Sequence, residues 1–333
     1  MPALAVADAL RESGAEVVFA GGQRAEAELV PAAGYELHQL PVRGISRSNP
    51  VKAAWAVVLA IGATWRAWRL LRRLKPAAVL GGGGYVAGVV GMAAALRRVP
   101  LVLTEADSHL GMSNRLLAHE SKRVCLAFPI EGREHARYMV TGRPVPAPFT
   151  DREEARKLYG LSGDDRCVLV FGGSLGARSL NEAAVAAFAD APYRVVHASG
   201  ERDYEALRSR VTRPGYDLEA YIDPFGPALA AADLVVARAG GSVFEIAAHG
   251  RPAVLVPYPH AAADHQTANA EHFVAAGAAL LLRDQDLDAP GLRRVVDELL
   301  SDPERLRSMG AASAGLARPD AARVIAAEVL RAT

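Results

Sequence analysis

CVLVFGGSLGARSLNEAAVAAF, residues 167–188, decides the fold. Cys167–Phe171 is a short run with no polar alternation, which suits a β-strand covered on both faces. Glycines punctuate the next five residues, and Ser179–Phe188 then reads as a helix. Strand, glycine turn and helix make the first part of a βαβ unit, whose parallel partner lies beyond the helix. YRVVHA (193–198) supplies that partner. The alternation continues through strands YDLEAYI (216–222), DLVVAR (233–238), PAVLVPY (252–258) and AALLL (278–282). Helices over about 290–300, 303–316 and 320–332 close the chain. The first half repeats the pattern. A helix starts at Pro2, strands fall at 16–20 and 36–42, and a long helical stretch covers 51–74. Strand 77–80, a glycine run at 81–84, and strands 101–104 and 123–127 follow. Val140–Pro148 is rich in proline and reads as a linker. The chain is therefore expected to be α/β, with two doubly wound domains over 1–148 and 149–316. Residues 317–333 form a last helix expected to pack back on the first domain. Loops at the carboxyl ends of both sheets would open into a cleft between the domains.

Composition narrows the class. The chain has 333 residues, enough for two domains at ~150 residues each. With 51% hydrophobic and 23% charged residues it is neither disordered nor a multispanning membrane protein. Its 38 basic and 37 acidic residues leave a net charge of +1, so no global field recruits nucleic acid. Cys125 and Cys167 each sit in an apolar run and read as buried small hydrophobes rather than a disulfide or metal site. The first helix is interrupted by Asp8, Arg11 and Glu12, so it does not read as a secretion signal. No D-x-D or His/Asp/Glu cluster calls for a metal, and no cofactor is expected.

Four stretches carry candidate chemistry. In Gly172–Gly176, backbone N–H groups at a helix start, with the Ser174 hydroxyl, suit phosphate oxygens. The same turn could serve close packing alone. It is not G-x-G-x-x-G, and no acidic residue ends the next strand, which argues against a dinucleotide. Gly81–Gly84 opens another helix with Tyr85 behind it, and four successive glycines imply a close approach to the backbone or a flexible turn. A third turn, Ala239–Ser242, precedes Glu245, which could face a ligand or favour the helix dipole. Finally, Asp264–Asn269 begins a helix with clustered polar groups, Gln266 among them.

These motifs, in this order, resemble the MurG family of N-acetylglucosaminyltransferases that make lipid II in peptidoglycan synthesis. The resemblance spans essentially the whole chain. It rests on PALAVADAL, KPAAVLGGGGYVAG and EADSHLGMSNRLLA in the first half. In the second half it rests on VFGGSLGARSLNE, YIDPFGPALAAADLVVARAGG, FEIAAHGRPAVLVPYP and DHQTANA. It implies the GT-B fold, two facing Rossmann-like domains. It also implies inverting transfer of GlcNAc from UDP-GlcNAc to the C4 hydroxyl of undecaprenyl-linked lipid I. By position, Ser174 with Gly172 and Gly173 matches the UDP-phosphate contacts, and Ile222 matches the backbone contact to uracil. Glu245, after Gly241 and Ser242, matches the ribose carboxylate, and Gln266 the amide on the sugar. Gly83, Gly84, Tyr85 and Asn114 match acceptor-side residues. Further implied partners are cell-wall synthesis proteins.

Several positions depart from the family pattern. Thr104-Glu105-Ala106-Asp107 stands for H-E-Q-N, so Asp107 replaces an asparagine among the donor contacts. Gly142-Arg143-Pro144-Val145-Pro146 displaces the usual arginine, and the turn before Glu245 is about one residue short. The family opens with a strand and a glycine loop whose histidine is its suggested base. Here Met1 stands just before the matching proline. The expectation is that Met1 is an internal methionine and that the natural protein extends upstream by roughly ten residues or more. Within the chain, Glu105, Asp107 and His109 are the nearest base candidates, and the base itself is unassigned. The 51–75 stretch sets Trp55, Trp65 and Trp68 beside Arg69 and Arg72. It reads as an interfacial helix on an anionic membrane surface, placing the protein peripherally on the cytoplasmic face, or as a core helix with a basic outer face. Two alternatives stay open: a GT-B enzyme for another lipid or natural-product acceptor, and a non-catalytic nucleotide-sugar-binding subunit.

Overall fold

A computed structural model describes residues 2–23, 25–40, 50–173 and 176–333, with the backbone alone described for 50–58. The chain forms two compact units, residues 1–145 with 319–333, and residues 146–318. The first unit runs α1 (Pro2–Glu12), β1 (Val18–Gly21), α2 (Glu26–Ala32), β2 (Glu36–Gln39), α3 (Pro50–Leu74) and β3 (Val79–Gly81). It continues with α4 (Gly84–Leu96), β4 (Leu101–Glu105), α5 (Met112–Leu117), β5 (Arg123–Leu126) and β6 (Tyr138–Val140). Every strand pair is parallel, in two separate sheets, β1-β2 and β3-β4-β5-β6. Among the described residues, β1 and β3 are each paired along one edge only.

The second unit runs α6 (Arg152–Leu158), β7 (Cys167–Phe171), α7 (Arg178–Ala187), β8 (Arg194–Ala198), α8 (Glu201–Arg208) and β9 (Tyr216–Glu219). Then come α9 (Phe225–Ala231), β10 (Leu234–Ala237), α10 (Val243–Ala248), β11 (Ala253–Leu255), α11 (His265–Ala275), β12 (Ala279–Leu281), α12 (Ala289–Leu300) and α13 (Pro303–Leu316). Its parallel sheet has the order β12-β11-β10-β7-β8-β9. β7 sits inside it, no residue of the strand more than 4% exposed, as the uninterrupted CVLVF pattern requires. Cys125 and Cys167 are free and buried, and burial pushes both thiols up to about 12.

Several elements escape the sequence pattern for local reasons. α2 carries Pro31 in its last turn, and α9 (FGPALAA) holds both Gly226 and Pro227, residues that lower helix propensity. α9 forms because burial of Ala228–Ala231 outweighs that cost. α8 and α9 separate three stretches whose periodicity runs them together as strands. β6 begins ahead of the proline-rich stretch.

The last helix, α14 (Ala321–Ala332), belongs to the first unit. Ile325 and Val329 pack with Val6 and Leu10 of α1 over Val102 and Cys125. An ion pair fixes its register: Glu328, 3% exposed, accepts from Arg123 Nε of β5 at 2.6 Å and also pairs with Arg331. Burial pushes the Glu328 carboxyl up, but Arg123 and Arg331 outweigh burial and hold it below the usual carboxylate range. A depressed carboxylate contributes stability above its unfolded value near 4.3, lost as pH falls through the folded value. Glu328→Gln should therefore cost about 1.5–3 kcal/mol at pH 7, with the difference shrinking below about pH 4. Urea unfolding followed by tryptophan fluorescence checks this, since Trp55, Trp65 and Trp68 all lie in the first unit. An equal difference at pH 7 and pH 3.5 contradicts it.

Candidate functional site

From β7 the chain steps outward through β8 and β9, then returns to β10 on the other side. The loops after β7 and β10 thus flank the topological switch point, where open parallel sheets hold ligands. Both loops are glycine turns. Gly172 cannot carry a side chain, because a β-carbon would lie 2.3 Å from Ala177 Cβ. Gly176, at φ +73°, would place one 2.2 Å from the Ser199 carbonyl oxygen. Gly173 has φ +92° and open space around it. Ser174 lies outside the described residues, and so does any side-chain contact it makes. No side chain caps α7 at Ala177 or α10 at Ser242 among the described residues. The start of α7 therefore meets this point without a side-chain cap, whereas the first N–H groups of α10, those of Val243, Phe244 and Glu245, are taken by the carbonyls of Gly240, Gly241 and Ser242.

A buried network behind α7 holds the first turn. Asn181 Nδ2 donates to Ser199 O at 2.8 Å and to Asp203 Oδ2 at 3.0 Å. Its Oδ1 lies 3.1 Å from His197 Nε2, and His197 Nδ1 lies 2.9 Å from the Tyr216 hydroxyl. Burial pushes His197 down to about 3, so the ring is neutral. With the Asn181 amide donating elsewhere, Nε2 carries the proton and Nδ1 accepts from Tyr216. Asp203, held low by Arg202, also takes Arg178 at 3.4 Å.

The turn after β10 is held by Arg238, a residue that the motif reading missed. Only 6% exposed, it donates to Val256 O (3.1 Å), Pro257 O (2.9 Å) and Ser179 Oγ (2.7 Å), and pairs with Asp284 (2.7 Å). A charge closing the apolar run DLVVAR was the signal. Beside it, Gln266 Oε1 accepts from Tyr258 N at 2.9 Å, and its Nε2 lies against Gly240. Glu245 is half-buried in the first turn of α10, after Gly241 and Ser242. Ile222 follows β9 and is buried at 8%. All these positions lie beyond carboxyl ends of strands of one sheet.

In the first unit, the loop after β4 is organised by Glu105, 8% exposed. Oε1 accepts from the N–H groups of Ala106 (3.0 Å) and Asp107 (3.4 Å), and Oε2 from Gly111 N (2.8 Å) and Asn114 Nδ2 (2.9 Å). Both oxygens are thus engaged by the loop's own donors, and Asp107 and His109 are half-buried on the loop it holds. Asn114, 1% exposed, also donates to Thr104 O and lies against Gly83. Gly83 and Gly84 have φ of +80° and +76°, and Tyr85 is exposed.

Helix α3 has two faces. Ala63, Ala67 and Leu71 are buried against α4, whereas Ile61 and Trp65 are 66% and 56% exposed. Arg69 stacks on Trp65 at 4.8 Å, and Arg72 and Arg97 lie over Trp68, which is partly buried in the core. The Trp55 side chain lies outside the described residues. Neighbouring α4 and α5 expose Met92, Leu96, Met112 and Leu116. Among the described residues no helix is long and apolar enough to cross a membrane, and no His/Cys/Asp/Glu group is arranged to hold a metal.

Two α/β units built on parallel sheets, one with glycine turns flanking its switch point, have the make-up of the GT-B fold, and the family matches give the class as glycosyltransferase. Residues 1–126 match the glycosyltransferase family 28 N-terminal domain, and 167–325 match its C-terminal domain. A Moorella thermoacetica protein is 40% identical, covering 99% of this chain and 95% of its own length. It is named UDP-N-acetylglucosamine--N-acetylmuramyl-(pentapeptide) pyrophosphoryl-undecaprenol N-acetylglucosamine transferase. A Halorhodospira halophila protein of the same name is 43% identical, with 96% and 91% covered. The crystal structure of Acinetobacter baumannii MurG superposes with a TM-score of 0.80 at 29% identity, covering 99% of this chain and 95% of that one. The calicheamicin glycosyltransferase CalG4, TM-score 0.71 at 19% identity, shares the fold. The chain belongs to the MurG family of glycosyltransferases.

The neutral His197 has a measurable consequence. Its folded pKa is below its unfolded value near 6.5, so its contribution to stability is complete above that value and is lost as pH falls toward 3. Between pH 6 and 4 the unfolding free energy of the second unit should fall by about 1.4 kcal/mol per pH unit from this group. Hydrogen exchange of the β8 amides in wild type and His197→Gln checks it. Parallel pH profiles would rule the account out.

Proposed function

We propose that this protein moves GlcNAc from UDP-GlcNAc to the C4 hydroxyl of lipid-linked MurNAc-pentapeptide, converting lipid I to lipid II with inversion. The observation that carries the reading is a pair of glycine turns on both sides of the switch point, the first opening α7 without a side-chain cap, in a chain of this family. As the glycosidic bond breaks, the diphosphate leaving group gains negative charge. Backbone N–H groups around Gly172, Gly173 and the start of α7 stabilise it without reorganising, and Ser174 adds a hydroxyl. Glu245 holds the ribose hydroxyls, the Ile222 backbone meets uracil, and Gln266 orients the sugar. Gly241 and Ser242 bring the turn after β10 to the donor. Arg238, through Ser179 and the 256–257 carbonyls, keeps these two turns in register.

The acceptor hydroxyl must lose a proton. With Glu105 committed to its own loop, Asp107 and His109 remain as candidates for that role. Asp107 also stands where the family has a donor-contacting asparagine. Gly83, Gly84, Tyr85 and Asn114 form the acceptor side. Ile61, Trp65 and Arg69, with the exposed apolar residues of α4 and α5, form the face that rests on the anionic cytoplasmic surface of the membrane.

Glu245→Ala should weaken UDP-GlcNAc binding by roughly 10- to 100-fold, the worth of one charge-assisted hydrogen bond, with the melting temperature unchanged. Calorimetry showing equal donor affinity removes this assignment. For the membrane face, Ile61→Ser with Trp65→Ser should cut sedimentation with phosphatidylglycerol vesicles at low salt. Trp68 is left in place because it packs in the core. Equal sedimentation by both proteins rejects this face as the docking surface.

A further inference from the structure

At the opposite, amino end of the second unit's sheet lies a hollow of about 690 Å³, lined by Arg152, Arg166, Asp233, Arg251, Pro252 and Arg307 among others. Asp233 is its single lining carboxylate, and it is already occupied. Its Oδ1 takes Arg152 at 2.7 Å, and its Oδ2 accepts from Cys167 N at 2.8 Å and lies 3.6 Å from Arg156. Arg152 also donates to Ala230 O and Ala232 O, and Arg251 NH1 to Ala232 O, so these two cap the carboxyl end of α9. Capping accounts for no more than that. Arg251 Nε is buried without a partner, and Arg166 comes no closer than 3.9 Å to Asp233. At the rim, Arg307 pairs with the exposed Glu304. Four guanidinium groups thus line the hollow against Asp233 and the rim Glu304, an excess of two positive charges. Burial first, and then the neighbouring Arg152, pushes Arg251 down to about 10.

We propose that this hollow is a second anion site, taking the phosphate or pyrophosphate group of a small soluble molecule. Guanidinium forks match phosphate oxygens two at a time, and Arg166, 41% exposed in the lining and no closer than 3.9 Å to Asp233, supplies such a fork with the charge of Arg251 behind it. The recessed position favours a soluble ligand over a bilayer, since Asp233 is only 11% exposed and Arg152 35%.

The probes are inorganic pyrophosphate and orthophosphate, titrated calorimetrically into the full chain with saturating UDP so that the glycine turns are filled. The variants are Arg166→Ala, on the half-exposed edge, and Arg251→Gln. Pyrophosphate should bind the wild type once per chain and at least tenfold more weakly to each variant, with orthophosphate weaker throughout. UDP affinity should stay within twofold. Because the readout is the difference between wild type and Arg166→Ala, it holds whether or not UDP occupies the turns. Arg166→Ala also preserves the test if Arg251→Gln fails to fold. Equal pyrophosphate binding by wild type and Arg166→Ala, or none by either, overturns the proposal. Arg166-dependent sedimentation with phosphatidylglycerol vesicles would overturn the soluble ligand.

Discussion

The approach of Gly176 to the Ser199 carbonyl, with 2.2 Å left for any β-carbon, is the constraint on which the second unit's site depends. It brings the turn after β7 against the end of β8, so the turn's path is set by a neighbouring backbone rather than by its own side chains. The same carbonyl accepts from Asn181, whose side chain also takes up Asp203 and the neutral His197. One oxygen therefore ties turn, α7 and α8 together. A buried network this fully satisfied gives a single geometry, and a missing partner would leave several groups unpaired at once. Arg238 does for the turn after β10 what Asn181 does for the first, and through Ser179 it reaches α7 as well.

The first unit solves the same problem with a carboxylate. Glu105 gathers four N–H donors from residues 106–114, so that loop is wound around a side chain. Asn114 links it to Gly83, where the backbone runs at positive φ. The two loops of this unit are thus joined, and the half-buried Asp107 and His109 sit on the one that Glu105 organises.

Periodicity made most of the fold legible. CVLVF could only be a covered strand, and the glycine turns announced the strand ends where ligands sit. What periodicity could not show was direction. Glu105 is the right type of residue for a base, yet its oxygens point into its own loop. Asn181 looks like one polar residue in an alanine-rich helix, and only packing reveals that it holds three neighbours. Trp65 and Trp68 are three residues apart and look equivalent in sequence, but the helix turns one outward and the other toward Arg97 and the core. α8 and α9 were hidden because charge in one, and glycine with proline in the other, weaken the helical pattern that burial then restores.

The two units differ in the sign of what they present, and the proposed chemistry explains why. A departing diphosphate needs donors that are already in place, and backbone N–H groups at helix starts supply them without the desolvation cost of burying lysine or arginine beside the ligand. Glycine is then the natural residue, because any side chain would hold the phosphate away. A hydroxyl that must give up its proton needs acceptors, and the loop of residues 104–114 is where the first unit concentrates carboxylate and imidazole. Such acceptors are useful only if they are held without being neutralised. Glu105 does the holding: it takes the N–H groups of residues 106, 107 and 111 and so fixes the backbone on which Asp107 and His109 sit.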